Sequence, residues 1–309
     1  MRAIDRIYVS CCKRDVHLAR ICVASIRYWH PTVPISLLKD HTVGDFDTSE
    51  IERFWDVSTH RLPRKSFGWS FIKLEPFFFG TPHRFLNLDA DIILVGPVLE
   101  ALEAHDEDFV VQKSALAENA IASHYYRPDL VRRDLDASFA YPGYVFNCGH
   151  VVGETARIRR EDFSALVDWN GPLPALLRPD VFSHADQGVT NFVLHRKQNE
   201  GAITVGHEAF SIWSDSDEIE GIDLGGVRAR SRSLPKLIHY AGAKPIDLGR
   251  MRRPDIVSYF EEQYYARIPN GRRLRILRNR RRIAYFSIVD RMKACVPRPI
   301  LNLAKGWIR

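Results

Sequence analysis

With 309 residues, 45% of them apolar and 27% charged, the chain can bury a substantial core as one large α/β domain or as a domain with an appendage, and nothing in it reads as disordered or repetitive. No stretch approaches the roughly 18–20 apolar residues of a membrane span, and the charged start Met1-Arg2-Ala3-Ile4-Asp5-Arg6 breaks the apolar run that a secretory signal needs, so a soluble, non-secreted protein is expected. The net charge of +6 is polarised: residues 267–309 hold thirteen Lys or Arg against one acid, Asp290, a net of +12, which leaves −6 on the preceding 266 residues. That asymmetry points to an acidic or mixed body and a basic tail aimed at an anionic surface.

In chain order, residues 4–10 read as a first strand. Residues 16–29 read as a helix through Leu18, Ile21, Cys22, Ala24, Ser25 and Ile26, with Asp15 as its N-cap. Pro34-Ile35-Ser36-Leu37-Leu38 follows as a second strand, so the opening implies a parallel sheet with a right-handed crossover. A helix is expected over 70–79, carrying Lys73 and Phe77-Phe78-Phe79, before a strand that ends at Asp89. Next come a strand at 109–111, a long loop to about Tyr141, a strand at 144–146, helices over 159–169 and 184–195, and a strand at 237–240. The loop is long enough to be functional. Five cysteines, Cys11, Cys12, Cys22, Cys148 and Cys295, are odd in number and lack Cys-x-x-Cys spacing, which predicts free thiols without a catalytic role.

Asp89-Ala90-Asp91 stands between the apolar runs Phe85-Leu86-Asn87-Leu88 and Ile92-Ile93-Leu94-Val95. An Asp-x-Asp often only caps a turn. Here it interrupts what reads as a buried sheet, where unpaired charge is unfavourable and a cation is needed. Mg²⁺ or Mn²⁺ takes oxygen ligands, commonly one or two carboxylates with substrate phosphates completing the shell.

The segment Arg84-Phe-Leu-Asn-Leu-Asp-Ala-Asp-Ile-Ile-Leu-Val95 resembles the metal-binding segment of GT-A fold glycosyltransferases. Phe146-Asn147-Cys148-Gly149, His184-Ala185-Asp186-Gln187 and His239-Tyr240-Ala241-Gly242-Ala243-Lys244-Pro245 are similar, in the same order, to three segments of glycosyltransferase family 8. The likeness covers residues 4–250, and Cys148 and Tyr240 depart from the family's usual small hydroxyl residue and Phe.

The resemblance implies a GT-A (Rossmann-like) α/β fold with a mixed, mainly parallel sheet flanked by helices. It implies a catalytic domain over 1–250 and a basic helical extension over 251–309. Asp89, Asp91 and His239 would bind the metal, with imidazole suiting Mn²⁺ better than Mg²⁺. The donor set would be Ser10, Lys73, Asp89, Ala90, Asp91, Asn147, Gly242 and Lys244. Asp186 would hold sugar hydroxyls, Gln187 would lie near the anomeric carbon, and Lys244 would stabilise charge on the departing diphosphate. Each has a plainer reading. These are a helix-dipole charge alone for Asp186, a pair with Glu75 for Lys73, a strand-end turn for Asn147 and a satisfied core histidine for His239. The implied reaction transfers sugar from a nucleotide sugar, a UDP-sugar by preference, to a glycan or lipid-linked glycan with retention. An inverting enzyme would instead need a general base, for which Glu208 and Asp217 are in range by order.

Residues 271–294 mix Arg272, Arg273, Arg275, Arg278 and Arg280–Arg282 with Leu274, Ile276, Leu277, Ile283, Tyr285, Phe286 and Ile288. This pattern suits an interfacial helix on anionic lipid, with Trp307 at the same interface. A cytoplasmic protein, peripheral at the inner membrane face, is the expectation, favoured by the catalytic motifs; packing on the body and, as the weaker of the two, nucleic-acid binding are the rivals. Two other functions remain open: a non-catalytic, membrane-attached nucleotide-sugar-binding protein, and a haloacid dehalogenase-like phosphatase, in which Asp89 would be a nucleophile although that motif normally lies on the first strand.

Overall fold

The computed structural model describes residues 2–68, 70–242 and 247–295. The chain divides into two compact units, residues 1–240 and 241–309.

The first unit opens as the sequence predicts. Strand β1 (Arg6–Cys12), helix α1 (Val16–Trp29) and strand β2 (Ile35–Asp40) form a parallel unit in the register Ile7↔Ile35. Asp15 sits at the N-cap position, but its carboxylate accepts the Cys12 N–H at 2.6 Å and caps no helical amide. Helix α2 (Ser49–Trp55) and strand β3 (Val57–Thr59) follow, β3 pairing with β2.

The helix expected over 70–79 is a 3-10 segment, Phe71–Phe78, with Pro76 inside it. Proline lacks the amide and clashes with the carbonyl four residues back, so an α-helix is disfavoured there. Strand β4 (Arg84–Asp89) pairs in parallel with β1, Ser10 opposite Asp89. After Ala90 and Asp91 the chain enters β5 (Ile92–Leu94), then α3 (Val98–Leu102), β6 (Phe109–Val111) and β7 (Lys113–Ser114). The expected long loop contains a helix, α4 (Pro128–Asp134), whose first residue is proline, a favoured residue at that position. Strand β8 (Val145–Phe146) pairs with β7.

Strand β9 (His150–Glu154), not anticipated from sequence, lies inside the sheet between β6 and β4, antiparallel to both. Its Gly153 admits the core aromatics, since a Cβ there would lie 2.8 Å from Phe85 and 3.2 Å from Phe77. The helix expected over 159–169 is corrected to one 3-10 turn, Arg160–Phe163, and a short hairpin of β10 (Val167–Asp168) and β11 (Ala175–Leu176). The Asp162 carboxylate accepts the Arg159 N–H at 2.8 Å and closes the turn on itself. Helix α5 (Asp186–Asn199) begins two residues later than expected and runs four further. Strands β12 (Val205–His207) and β13 (Ser211–Trp213), helix α6 (Leu224–Arg228) and strand β14 (Leu237–His239) complete the unit.

The large sheet has the order β12-β6-β9-β4-β1-β2-β3, and every ladder is parallel except those of β9. The expected mixed, mainly parallel α/β architecture is present. A second sheet has the order β13-β14-β5, with β14 antiparallel to β5. Beside the large sheet the core is rich in rings, including Phe71, Phe77, Phe85, Phe109, Phe146 and Phe192.

The second unit contains α7 (Pro254–Ala266) and α8 (Gly271–Cys295), the latter in accord with the helix expected over 271–294. Gly271 is needed at the turn, because a Cβ there would fall 1.9 Å from the Tyr265 carbonyl oxygen. Arg275 holds Glu261 at 2.7 Å and Glu262 at 2.8 Å, while Ile276, Leu277, Tyr285 and Ile288 are exposed. No described helix is long and apolar enough to cross a membrane.

Candidate metal and donor site

The break between β4 and β5 makes the site. Asp89 is the last residue of β4, and the Ala90 N–H donates to the Ser10 carbonyl at 3.1 Å as the chain leaves the large sheet. β5 then joins the second sheet, where its ladder with β14 sets His239 opposite Ile92 and the Tyr240 N–H donates to the Asp91 carbonyl at 3.1 Å. Sheet register therefore delivers His239 to Asp91. One ligand atom from each of Asp89, Asp91 and His239 lies within 4.8 Å of the others. His239 Nε2 stands 3.3 Å from Asp91 Oδ1 and 3.7 Å from Asp89 Oδ2.

The surroundings suit a divalent cation. Two carboxylates and an imidazole form a mixed oxygen and nitrogen donor set. His239 is buried, stacked on Trp213 at 5.2 Å and met edge-on by His150 at 5.3 Å. Burial pushes the His150 pKa well below the usual imidazole value, with His239 and Lys73 adding to the fall, so this ring adds no charge. Gly149 stands beside the group, where a Cβ would lie 2.5 Å from Asp89 Oδ2 and 2.6 Å from His239 Cε1. Only glycine leaves this cradle open, a requirement invisible without the antiparallel β9. The Ser10 hydroxyl, beside Asp89 in the ladder, is buried with no hydrogen-bond partner among the described residues.

Lys73 comes from the 3-10 segment and lies largely buried between two acids, 3.0 Å from Asp89 Oδ2 and 3.4 Å from Asp186 Oδ2. The alternative pairing with Glu75 is not what is found, since Glu75 holds Arg160 at 2.7 Å. Burial opposes the charged lysine, but Asp186 and Asp89 outweigh it and hold the ammonium protonated. Burial likewise raises the Asp186 pKa, with Lys73 pulling it back.

A strained turn aims Asp186 inward. His184 and Ala185 have φ of 48° and 38°, left-handed values that non-glycine residues adopt only when the surroundings enforce them. The Ser183 N–H donates to the Tyr125 carbonyl at 2.7 Å, and a Cβ at Gly188 would fall 2.3 Å from that same oxygen. Asn147 Nδ2 donates to Gln187 Oε1 at 2.9 Å, and Asn147 Oδ1 accepts the Gly149 N–H at 2.8 Å. Asn191, which sequence reasoning missed, clamps this arrangement from α5, accepting the Phe146 N–H and donating to the Phe146 carbonyl, both at 2.9 Å. Asp15 was likewise missed as a neighbour. Burial and, further, the charges of Asp91 and Asp89 push its carboxyl up to about 6, against the Cys12 hydrogen bond.

Asp89, Ala90, Asp91, His239, Ser10, Lys73, Asn147, Asp186 and Gln187 thus all belong to the first unit, tied by the contacts above. Gly242 belongs to the second unit and has a left-handed φ of 82°; Lys244 lies outside the described residues. Glu208 is engaged by His105 at 3.1 Å, and Asp217 opens a 3-10 turn, Asp217–Gly221. Cys148 is a free, buried thiol whose pKa burial pushes up.

No protein-family model matches this chain, and no curated protein matches it. Among solved structures it is similar to the bifunctional glycosyltransferase WbbM, at 14% identity over 85% of this chain and 50% of that one, with a TM-score of 0.47. It is similar to the glycosyltransferase GlyE of Streptococcus pneumoniae TIGR4, at 13% identity over 84% of this chain and 60% of that one, with a TM-score of 0.49. It is also similar to the galactosyltransferase LgtC in complex with donor and acceptor sugar analogues, at 16% identity over 87% of this chain and 99% of that one, with a TM-score of 0.49. The chain thus spans about half to three fifths of the length of the first two.

Proposed function

We propose that this chain is a metal-dependent, GT-A-type glycosyltransferase of the family 8 kind. It would move a sugar from a nucleotide sugar, by preference a UDP-sugar, to a glycan or lipid-linked glycan. The observation that carries the reading is the convergence of Asp89, Asp91 and His239 within 4.8 Å, next to a Lys73–Asp186 pair and an Asn147–Gln187 pair from three other segments.

Asp89, Asp91 and His239 would hold Mn²⁺ or Mg²⁺, which when bound supplies positive charge to the diphosphate. Asp186 would accept hydrogen bonds from donor hydroxyls, and Lys73, 3.4 Å away, partners that buried carboxyl and opposes the rise that burial gives its pKa. Asn147 fixes the Gln187 amide, which would lie near the anomeric carbon, where charge develops in the transition state. Ser10 and the Ala90 backbone would contact the donor beside Asp89, and the sequence resemblance adds Gly242 and Lys244 as further donor contacts, with Lys244 on the leaving diphosphate. The acceptor oxygen bonds to the anomeric carbon as the bond to the phosphate oxygen breaks, and the acceptor proton passes to the leaving diphosphate on the same face. Retention follows without a dedicated carboxylate base.

The second unit, with arginines and exposed apolar residues along α8, fits a peripheral helix on an anionic membrane surface where a lipid-linked acceptor would be met.

Incubation with a panel of UDP-, GDP- and CMP-sugars, with and without Mn²⁺, tests the reaction through release of free nucleotide. Metal-dependent release from one donor, lost in Asp91→Asn, supports transfer and names the sugar. Metal-dependent binding with no release across a panel of glycan acceptors supports a non-catalytic binder, and indifference to every donor overturns the proposal.

A further inference from the structure

One oxygen of this group already has a cation. Asp89 Oδ2 accepts a hydrogen bond from Lys73 Nζ at 3.0 Å and lies 3.7 Å from His239 Nε2. A divalent cation bound through Oδ2, the Asp89 oxygen that faces His239, would therefore share its acceptor atom with the lysine ammonium. Beside that oxygen stands Gly149, where a Cβ would fall 2.5 Å away, so only a residue without a side chain leaves the carboxylate its place.

Lys73 has a second partner, Asp186 Oδ2, at the longer distance of 3.4 Å. Asp186 is 6% exposed and begins α5 after the two left-handed residues His184 and Ala185, so its carboxylate is fixed while the four-carbon lysine stem is the adaptable partner. A short shift of Nζ towards Asp186 would release Asp89 Oδ2 and keep the ammonium paired. Without that second acid the ammonium would stay on Asp89. Two cations competing for one carboxylate in a partly dehydrated pocket repel far more strongly than in water.

Resting on the metal-site reading above, we propose that Lys73 is a positioning residue that sets the site's affinity for its divalent metal. It competes for Asp89 Oδ2, and Asp186 draws the ammonium off as the metal binds. Metal alone then binds weakly, and a diphosphate-bearing donor, by adding negative charge, lets both cations stay. Loading is thereby coupled to the arrival of the donor.

The test is Mn²⁺ binding by the full chain without nucleotide, read as loss of the free-ion paramagnetic resonance signal and repeated with UDP. Lys73→Met should bind Mn²⁺ alone at least tenfold more tightly than the wild type and lose most of the tightening by UDP. Lys73→Arg, which keeps the charge, should stay within threefold of the wild type. Asp186→Asn should weaken Mn²⁺ binding at least threefold, yet have no effect in the Lys73→Met background, because it acts through the ammonium. Unchanged or weaker binding by Lys73→Met overturns the proposal, as does an equal effect of Asp186→Asn in both backgrounds, which would mean simple loss of a nearby negative charge. Asp91→Asn separates the two readings. If wild-type Mn²⁺ binding does not depend on Asp91, the metal site itself is wrong; if it does and Lys73→Met fails to tighten it, only the competition is wrong.

Discussion

Asp89, Asp91 and His239 are brought within 4.8 Å of one another by strands from distant parts of the first unit, whereas Arg275, Glu261 and Glu262 of the second meet across the turn between consecutive helices. In the first region charges are buried, share acceptors and depend on sheet register. In the second the basic residues line a helix with a largely exposed surface. The same residue types should therefore respond differently to substitution: strongly and non-additively at the strand ends, weakly and in a salt-screened way along α8.

The largest effect is expected at the carboxylates. Asp91→Asn keeps the shape of the side chain and removes a metal-ligating charge. Nucleotide release should fall at least about 10³-fold, equivalent to about 4 kcal/mol of barrier, with an unchanged circular dichroism spectrum. Asn191→Ala attacks the same region from its support. It strips partners from both the Phe146 N–H and the Phe146 carbonyl, and urea denaturation should show a loss of about 3 kcal/mol. A loss below 0.5 kcal/mol would mean that the end of β8 is held by something else. Gly149→Ala should destabilise by about 1–3 kcal/mol through overpacking and, in the folded fraction, weaken Mn²⁺ binding, since the new methyl lands on Asp89 and His239.

These three positions also mark what could be read in advance. Asp89-Ala90-Asp91 was legible because its chemistry is local: two acids between apolar runs need a cation. His239 was legible only through the resemblance of its flanking residues, as an isolated histidine carries no sign of the β5 to β14 register that delivers it. Gly149 and Asn191 gave no readable role, because each acts through contacts with segments far away in sequence. The fold failed to show in the same places. β9 lies inside the sheet and is buried on both faces, so it lacks the alternation of a half-buried strand, and its Gly153 makes sense only against Phe85 and Phe77. The apolar spacing over 159–169 fits a helix as well as the turn and hairpin that form, and the Asp162 hydrogen bond decides between them.

A smaller and pH-dependent effect is expected at Asp15, on the border of the acidic group. Its folded pKa of about 6 lies above the ordinary 3.8. Its proton therefore favours the folded state below about pH 4, and that contribution is lost as pH rises through 6. At pH 8 the ionised carboxylate opposes folding. Asp15→Asn retains an oxygen for the Cys12 N–H and should stabilise the protein by about 2–3 kcal/mol at pH 8, the difference shrinking to nothing by about pH 4. Thermal melts at the two pH values measure it, and a difference of constant size would show that Asp15 is not strained by its charge.

The smallest effect is expected where the charge is solvated. Arg280 is exposed on α8, while Arg275 on the same helix is tied to Glu261 and Glu262. Arg280→Gln removes one basic residue and should weaken binding of the full chain to vesicles containing phosphatidylserine by about fivefold, close to 1 kcal/mol, with folding stability changed by no more than about 0.5 kcal/mol. Because the attraction acts through solvent, it should fade as salt rises from about 0.1 M to 1 M and the screening length shortens from about 10 Å to 3 Å. Arg275→Gln should differ by lowering stability through the loss of both ion pairs, the Glu261 partner being buried. Equal vesicle affinity with and without anionic lipid would remove the electrostatic part of the membrane reading. Equal effects of the two arginine variants on folding would mean that the contrast between paired and solvated charge does not hold even within one helix.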